Sequence, residues 1–397
     1  MEMDLQLLLQ TVSSSSVIRY SCKLAPLSAD GLVCPPTYAA KKSGDPSYLP
    51  FRQAYINGAL RDIVVLDSPQ SQSNRIESAL LEARKAGRLA YPDIVVQFPV
   101  ELNQPTVSVL ELSHRVYDAV LRAAMLDDVP FYETPIGRSL AGARPNNATA
   151  LFEHAPITLV LGAWDSNSGA GPQAAKLQRL LTSEIIGLDA RPASLSATKF
   201  DVLDIRSNSA ELIATPGDGA RRFEIAKQKN SGKVKKPSEF GFGSVPSTDV
   251  PRGAVISGAV QTSVLSCAGL RALSFPAGDG TAHAERDQAA RAVLAALALY
   301  GFVAQSEAGY LLRSRCELVP EEDGCLESIG RTLKDSKRIE LSADGALSLL
   351  QDTLRYASDF GLRFRDSVLH LNADDRLIEL VRRSRLATAA GDGEGEA

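Results

Sequence analysis

Cysteine is scarce: Cys22, Cys34, Cys267, Cys316 and Cys325 are the only five in 397 residues. Odd in number, dispersed and without Cys-x-x-Cys spacing, they exclude a disulfide framework and fit a reducing compartment. The four histidines, His114, His154, His283 and His370, are equally scattered, so no local zinc motif exists. We expect no metal and no cofactor. No apolar run approaches the roughly 20 residues of a membrane-spanning helix, and Glu2 and Asp4 stand where a signal peptide would carry positive charge. The expectation is a soluble, cytoplasmic chain with no membrane partner. Gly-x-x-x-x-Gly-Lys-Ser/Thr, Gly-x-Gly-x-x-Gly and Gly-x-Ser-x-Gly are all missing, which removes the usual phosphate-loop, dinucleotide and serine-hydrolase motifs. Asn147-Ala148-Thr149 matches a glycosylation acceptor, which matters only in a secreted protein.

Positive charge is in deficit overall but concentrated in one place. The formal net charge is −4, yet Arg221, Arg222, Lys227, Lys229, Lys233, Lys235 and Lys236 face only Glu224 between positions 221 and 236, a local +6 that leaves −10 for the remainder. An acidic body with one basic projection limits nonspecific binding while concentrating phosphate attraction. The alternative is a solvated loop rich in lysine, glycine and proline.

The sequence is long enough for two domains or for one with large insertions. A strand is expected over 21–27, an irregular stretch over 28–50, a strand over 61–66, a helix over 114–126, a strand over 157–163, an amphipathic helix over 173–186, strands over 252–275, helices over 282–300 and 342–360, and a strand over 310–318. The repeat Phe240-Gly-Phe-Gly243 closes a basic stretch that reads as a long flexible hairpin, and the chain beyond Ala387 is disordered by composition. Irregular alternation of strands and helices predicts a single α+β domain, 1–397. A ferredoxin-like or RNA-recognition-motif arrangement is the natural candidate, since it offers a sheet on which RNA can lie.

The richest local signal is Leu66-Asp-Ser-Pro-Gln-Ser-Gln-Ser-Asn-Arg75-Ile-Glu77. Ser68 is a good N-cap and Pro69 suits the first helical position, while Ile76, Ala79, Leu80 and Ala83 recur at helical spacing. The first turn carries Gln70, Ser71, Gln72, Ser73 and Asn74 in place of acids, so the positive end of the helix dipole stays open to an outside anion. Composition alone favours the plainer reading, a capped surface helix whose Ser and Gln residues face water.

Together, Leu49-Pro-Phe-Arg52, Asp67 to Glu77 and Gly253-Ala-Val-Ile-Ser-Gly-Ala-Val-Gln-Thr-Ser263 resemble the guide-RNA backbone subunit of type I CRISPR Cascade complexes, of the U or G subtype in the RAMP superfamily. The resemblance runs from about 19 to about 372. It implies a hand-shaped molecule: a palm over 17–89, 157–206 and 252–372, a finger-like insertion over 90–156, and a basic hairpin thumb over 207–251. It also implies binding without turnover, with copies stacking as a helical filament along one guide RNA beside other Cascade subunits, target DNA and a recruited nuclease. Ser71, Gln72, Asn74 and Arg75 would hold sugar and phosphate, with Arg52, Arg252 and Gln261 as further RNA contacts. Lys227, Lys229, Lys233, Lys235 and Lys236 would line the path of guide or target strands. Such contacts position RNA without reading its sequence.

No catalytic residue is expected. Asp30 sits where some type III relatives carry a cutting aspartate, but Asp30-Gly31 is also an ordinary turn pair. His114 beside Arg115 could serve acid–base chemistry, or be a surface pair on a helix. Two other functions remain open: an RNA-processing endonuclease of the same superfamily, and a structural protein that assembles without RNA.

Overall fold

The computed structural model describes residues 1–38, 48–102, 106–165, 176–195, 201–206, 209–214, 223–226, 234–244, 251–365 and 367–390. Helix α1 (Leu5–Ser14) starts where the Asp4 carboxylate accepts the Leu7 N–H. Strand β1 (Val17–Pro26) buries Ile18, Cys22 and Leu24 on one face and exposes Lys23 on the other. A turn in which Asp30 accepts the Leu32 N–H leads to β2 (Leu32–Val33). Strands β3 (Phe51–Ile56) and β4 (Ala59–Asp67) form a hairpin whose Asn57-Gly58 tip has φ of 51° and 80°, the left-handed pair such tight hairpins require. Ser68 then caps α2 (Pro69–Lys85) by accepting the Ser71 N–H, with Pro69 at the first position as expected.

Strands β5 (Ile94–Gln97) and β6 (Thr106–Ser108) follow, then α3 (Ala119–Arg122), β7 (Ala124–Leu126), β8 (Val129–Pro130), α4 (Pro135–Ala141), α5 (Thr149–His154) and α6 (Ile157–Leu161). Next come β9 (Ala163–Trp164), β10 (Lys176–Leu177), β11 (Leu181–Leu188) and β12 (Arg191–Ser194). A small hairpin, β13 (Leu212–Ala214) with β14 (Phe223–Ile225), precedes β15 (Pro251–Val255), β16 (Gly258–Ser266), α7 (Cys267–Arg271) and the long α8 (Ala284–Glu307). The chain closes with β17 (Tyr310–Arg313), β18 (Cys316–Pro320), β19 (Cys325–Ile329), β20 (Ser336–Ile339), α9 (Ala343–Ser358), β21 (Leu369–Ala373) and α10 (Asp375–Ala390).

The result is α+β. The main sheet runs β17-β18-β1-β16-β11-β4-β3, antiparallel at every pair, and β1 also pairs with β19, which carries β20. A five-stranded sheet, β6-β5-β21-β7-β8, joins the expected finger segment to the C-terminal strand through the parallel β5/β21 pair. That segment is integrated: Val96, Val116, Tyr117, Leu121, Phe131, Leu140 and Leu151 share one core with α8. The third sheet is β12-β15-β2.

Helix α8 sits at the centre of that core, buried on nearly every side. Contrary to the sequence expectation, it is long and apolar enough to cross a membrane, but 83% of its most apolar window is covered by the protein itself. Its small residues admit close neighbours. A Cβ at Gly301 would come within 2.9 Å of Ile76 Cγ2, so glycine there lets α2 lie directly against α8.

Three expected elements are corrected. Residues 157–161 form the helix α6 and not a strand; all five side chains are buried, and a short run with no exposed face carries no period to read. Residues 181–188 form the central strand β11 and not the end of a helix. Leu181, Ser183, Ile185 and Gly187 point inward by strict alternation, and pairing on both sides overrides the helix-like spacing of Leu177, Leu180 and Leu181. The helix expected over 114–126 is broken at Arg115, whose φ of 53° is left-handed. Its guanidinium turns inward to Glu77, with Nε–Oε1 2.6 Å and Nη2–Oε2 3.0 Å, and to the Gly162 carbonyl at 2.8 Å. In addition, α10 continues to Ala390, beyond the expected start of the tail, whose last residues lie outside those described.

The Arg115–Glu77 pair is closed to water and bidentate, with side chains 8% and 3% exposed. Removing one member strands the other charge in the interior, so Arg115→Ala should lower stability by about 3–5 kcal/mol. Urea denaturation of the variant checks this, and a loss under about 1 kcal/mol would mean that the pair is solvated.

Candidate nucleic-acid interface

Strand β4 ends in an apolar stretch whose last side chain is a carboxylate. Asp67 is fully buried, and such a charge persists only if it is neutralised and hydrogen-bonded. Gln72 Nε2 donates to it at 2.6 Å, Arg75 Nε at 2.9 Å and Arg313 Nη2 at 3.4 Å. The arginines are anchored in turn: Arg75 Nη2 donates to the Leu312 carbonyl at 2.7 Å, and Arg313 Nη1 to the Leu66 carbonyl at 2.7 Å. Two guanidiniums around one carboxylate leave an excess charge of +1 beside the start of α2.

The network continues under the sheet. Gln72 Oε1 accepts from Ser183 Oγ at 2.7 Å and Gln261 Nε2 at 3.0 Å, Ser263 Oγ donates to Ser183 Oγ at 2.7 Å, and Tyr310 donates to Gln261 Oε1 at 2.7 Å. Burial pushes the Tyr310 phenol above its usual range, so it remains a donor. One polar seam therefore ties β4, α2, β11, β16 and β17 together.

This placement divides the expected contact residues. Gln72 and Gln261 are fully buried with their amides committed, and Arg75 spends all three of its nitrogens on Asp67 and the Leu311 and Leu312 carbonyls. These bonds tie all three side chains into the fold, while the Arg75 side chain remains 28% exposed. Asn74 and Gln70 are exposed and Ser71 is half-buried, so the outward side of the first two turns stays open. Arg52 is exposed on β3 and pairs with Glu184 at 2.9 Å. Because Glu184 alternates with the inward Ser183, this pair lies on the other face of the sheet, with Arg19, Lys23, Thr182 and Thr262. Arg252 is exposed on β15, with no carboxylate partner among the described residues.

Lys227, Lys229 and Lys233 lie outside the described residues. The Lys235 backbone bridges to Leu212, and the Lys236 N–H is held by the Glu239 carboxylate. Phe240 and Phe242 of the Phe-Gly-Phe-Gly repeat pack on Phe223 with ring centroids 5.7 and 5.1 Å apart, a small aromatic cluster that joins β14 to the 237–242 turn. Sequence reasoning missed Asp67, Arg313 and Tyr310. Only Asp67, a charge closing an apolar strand, left a local signal.

Asp30 is exposed in its turn, and His114 is exposed while its neighbour Arg115 is buried. Among the described residues no three His, Cys, Asp or Glu side chains converge as metal ligands would, and all five cysteines are free.

Residues 18–192 match the family model described as CRISPR-associated protein GSU0053. The match covers less than half of the chain, includes the whole Asp67 to Glu77 segment, and bears out the CRISPR-associated resemblance there. No curated protein matches. Among solved structures, Thermofilum pendens Csc2 is similar over 96% of this chain and 83% of that one, at 10% identity and a TM-score of 0.26, too low to carry an argument.

If the Asp67 seam is structural, Gln72→Ala and Arg75→Ala should each cost about 1.5–3 kcal/mol, while Asn74→Ala should stay within about 0.5 kcal/mol. Chemical denaturation of the three variants decides it. Equal stabilities would return Gln72 and Arg75 to the set of free contact residues.

Proposed function

We propose that this chain is the guide-RNA-binding backbone subunit of a type I CRISPR surveillance complex, and that it binds without turnover. The observation that carries the proposal is the start of α2. Inside the segment matched by the CRISPR-associated family, a rigidly held helix end presents Gln70, Ser71 and Asn74 to solvent over an excess positive charge. Uncharged amides and hydroxyls at a helix N-terminus suit sugar hydroxyls and phosphate oxygens of any sequence.

The strand order supports a palm reading. Taking β1, β11, β16 and β19 as the four core strands, with α2 between the first two and α8 between the last two, gives the spatial order β19-β1-β16-β11, that of a split βαβ or RNA-recognition-motif sheet. On this reading Ser71 and Asn74 touch the guide backbone, Arg52 and Arg252 add contacts, and Gln72, Arg75 and Gln261 position the helix from behind. The segment 207–251 acts as the thumb, with Lys227, Lys229, Lys233, Lys235 and Lys236 along the path of guide or target DNA. Further copies add head to tail as an open filament ended by the length of the guide, beside other complex subunits and a nuclease recruited for cutting, in the cytoplasm.

Expressed with its guide and partner subunits, the protein should purify as a multi-copy ribonucleoprotein that disperses when ribonuclease removes the RNA. Light scattering before and after digestion checks this, and an unchanged oligomer that never held RNA would favour RNA-independent assembly. Asn74→Asp is the sharper probe. Asn74 is exposed in the second turn, where an acid should change stability little but should repel phosphate, so guide affinity should fall about tenfold, near 1.4 kcal/mol, with no drop in melting temperature. Unchanged binding in a filter assay would remove the α2 start from the interface.

Replacing the five thumb lysines by glutamine should flatten the slope of log affinity against log salt by up to about 3.5 units for single-stranded nucleic acid. Titrations with guide RNA and target DNA separate the two paths: a change for DNA alone assigns the segment to target capture. No change for either makes it a solvated loop.

A further inference from the structure

Trp164 is the single tryptophan of the chain, and it is 57% exposed. It ends β9, where its register partner is Lys176 of β10, and the Lys176 ammonium stands 5.5 Å from the centre of the indole. An ammonium at that distance is held by the electron-rich face of the ring. The indole is therefore displayed on a registered strand pair. With more than half of it open to solvent, one cation does not cover it.

The position of this hairpin follows from α2. Gln70, Asn74 and Glu77, at i, i+4 and i+7, share one row along the helix. At the end of that row Arg115 bridges both Glu77 oxygens to the Gly162 carbonyl, and Gly162 leads directly into β9. The base of the hairpin is tight, since a Cβ on Gly162 would come within 2.8 Å of the Leu177 carbonyl of β10. Trp164 is in this way fastened to the flank of α2 on which Gln70 and Asn74 are exposed.

The hairpin itself carries charge of the sign that suits a polyanion. Asp165 is paired with Arg122 at 3.6 Å, Lys176 stands over the ring, and residues 166–175 between the two strands include no charged side chain. An exposed indole with a cation beside it, adjoining a helix start that offers amides and hydroxyls, has the make-up of a platform for single-stranded nucleic acid, in which rings take bases and cations track the backbone.

We propose that Trp164 stacks a nucleobase of the guide strand whose backbone lies at the start of α2, with the Lys176 ammonium meeting a neighbouring phosphate. The inference rests on the guide-binding reading above and adds to it a base contact that is blind to base identity, since every base has a π face.

Because the chain has no other tryptophan, the tryptophan emission of the full chain reports this ring alone. A single-stranded RNA and an abasic ribose–phosphate strand of the same length serve as probes at matched ionic strength, with binding followed in parallel by a filter assay. The RNA should quench the emission saturably, as a stacked base quenches an indole, while the abasic strand should bind more weakly and leave the emission bright. Trp164→Ala should lower RNA affinity about tenfold, and Trp164→Phe, which keeps a ring, should stay within about threefold of the wild type. Both variants should melt as the wild type does, because the side chain is exposed. RNA retained on the filter and weakened by Asn74→Asp, but with unquenched emission, would overturn the stacking and leave the guide-binding reading standing. Equal quenching by the abasic strand, or wild-type affinity in Trp164→Ala, would overturn it too. So would emission that shifts with protein concentration alone, which would assign the ring to contacts between copies. No RNA retained at all would remove the guide-binding reading and this inference with it.

Discussion

One buried carboxylate organises the end of the sheet that faces α2. Asp67 has no access to water, and an uncompensated carboxylate in that position costs several kcal/mol. The partners that answer it come from two distant parts of the chain: Gln72 and Arg75 from the first turns of α2, and Arg313 from a strand nearly 250 residues later. The requirement to satisfy one ion thus fixes three elements. Gln72 then has its second polar atom spent on Ser183 and Gln261, which extends the constraint to β11 and β16.

A second buried charge holds α2 from its flank. Glu77 lies one turn and a half beyond Gln72 and is gripped by both arms of Arg115, which must adopt a left-handed backbone to reach it. Between these two anchors, Ile76 and Leu80 rest against the small-residue surface of α8 around Gly301. Helix propensity contributes little to such rigidity, since most helical stability in a protein comes from tertiary packing. The consequence for the exposed side is that Gln70, Ser71 and Asn74 stand at a fixed height above the sheet end. That is the preorganisation a repeated, sequence-blind backbone contact needs.

How far the sequence revealed this depended on whether the determining forces were local. The Ser68 cap and the Pro69 start are chemistry within one turn, and they were legible to the residue. Helix α8 was legible as a helix because its length outlasts any strand. The exchange of helix and strand over 157–188 was not legible. Five buried apolar residues at 157–161 have no polar face to set a period, and the strand character of 181–188 comes from neighbours at 63–67 and 258–265 that no local window contains. The resemblance implies Gln72, Arg75 and Gln261 as RNA contacts; that the buried Asp67 draws Gln72 and Arg75, and through Gln72 also Gln261, into the hydrogen bonds of the fold is a long-range effect that no local window contains. Asp67 was in view, but its role depends on Arg313, whose distance along the chain hides it.

The separation of held and free groups bears on how an acidic chain could grip a polyanion. A charge of −10 outside the basic stretch would repel RNA at long range were it uniform. On the proposed reading, attraction is delegated to the basic stretch between 221 and 236. Alignment is delegated to the α2 start, where only one excess positive charge acts and short-range hydrogen bonds dominate. Long-range capture and short-range register then depend on different residues and respond differently to salt: the first weakens with counterion concentration, while the second persists because neutral donors release no counterions. Such a division suits a subunit that must bind any guide sequence yet repeat its spacing from one copy to the next.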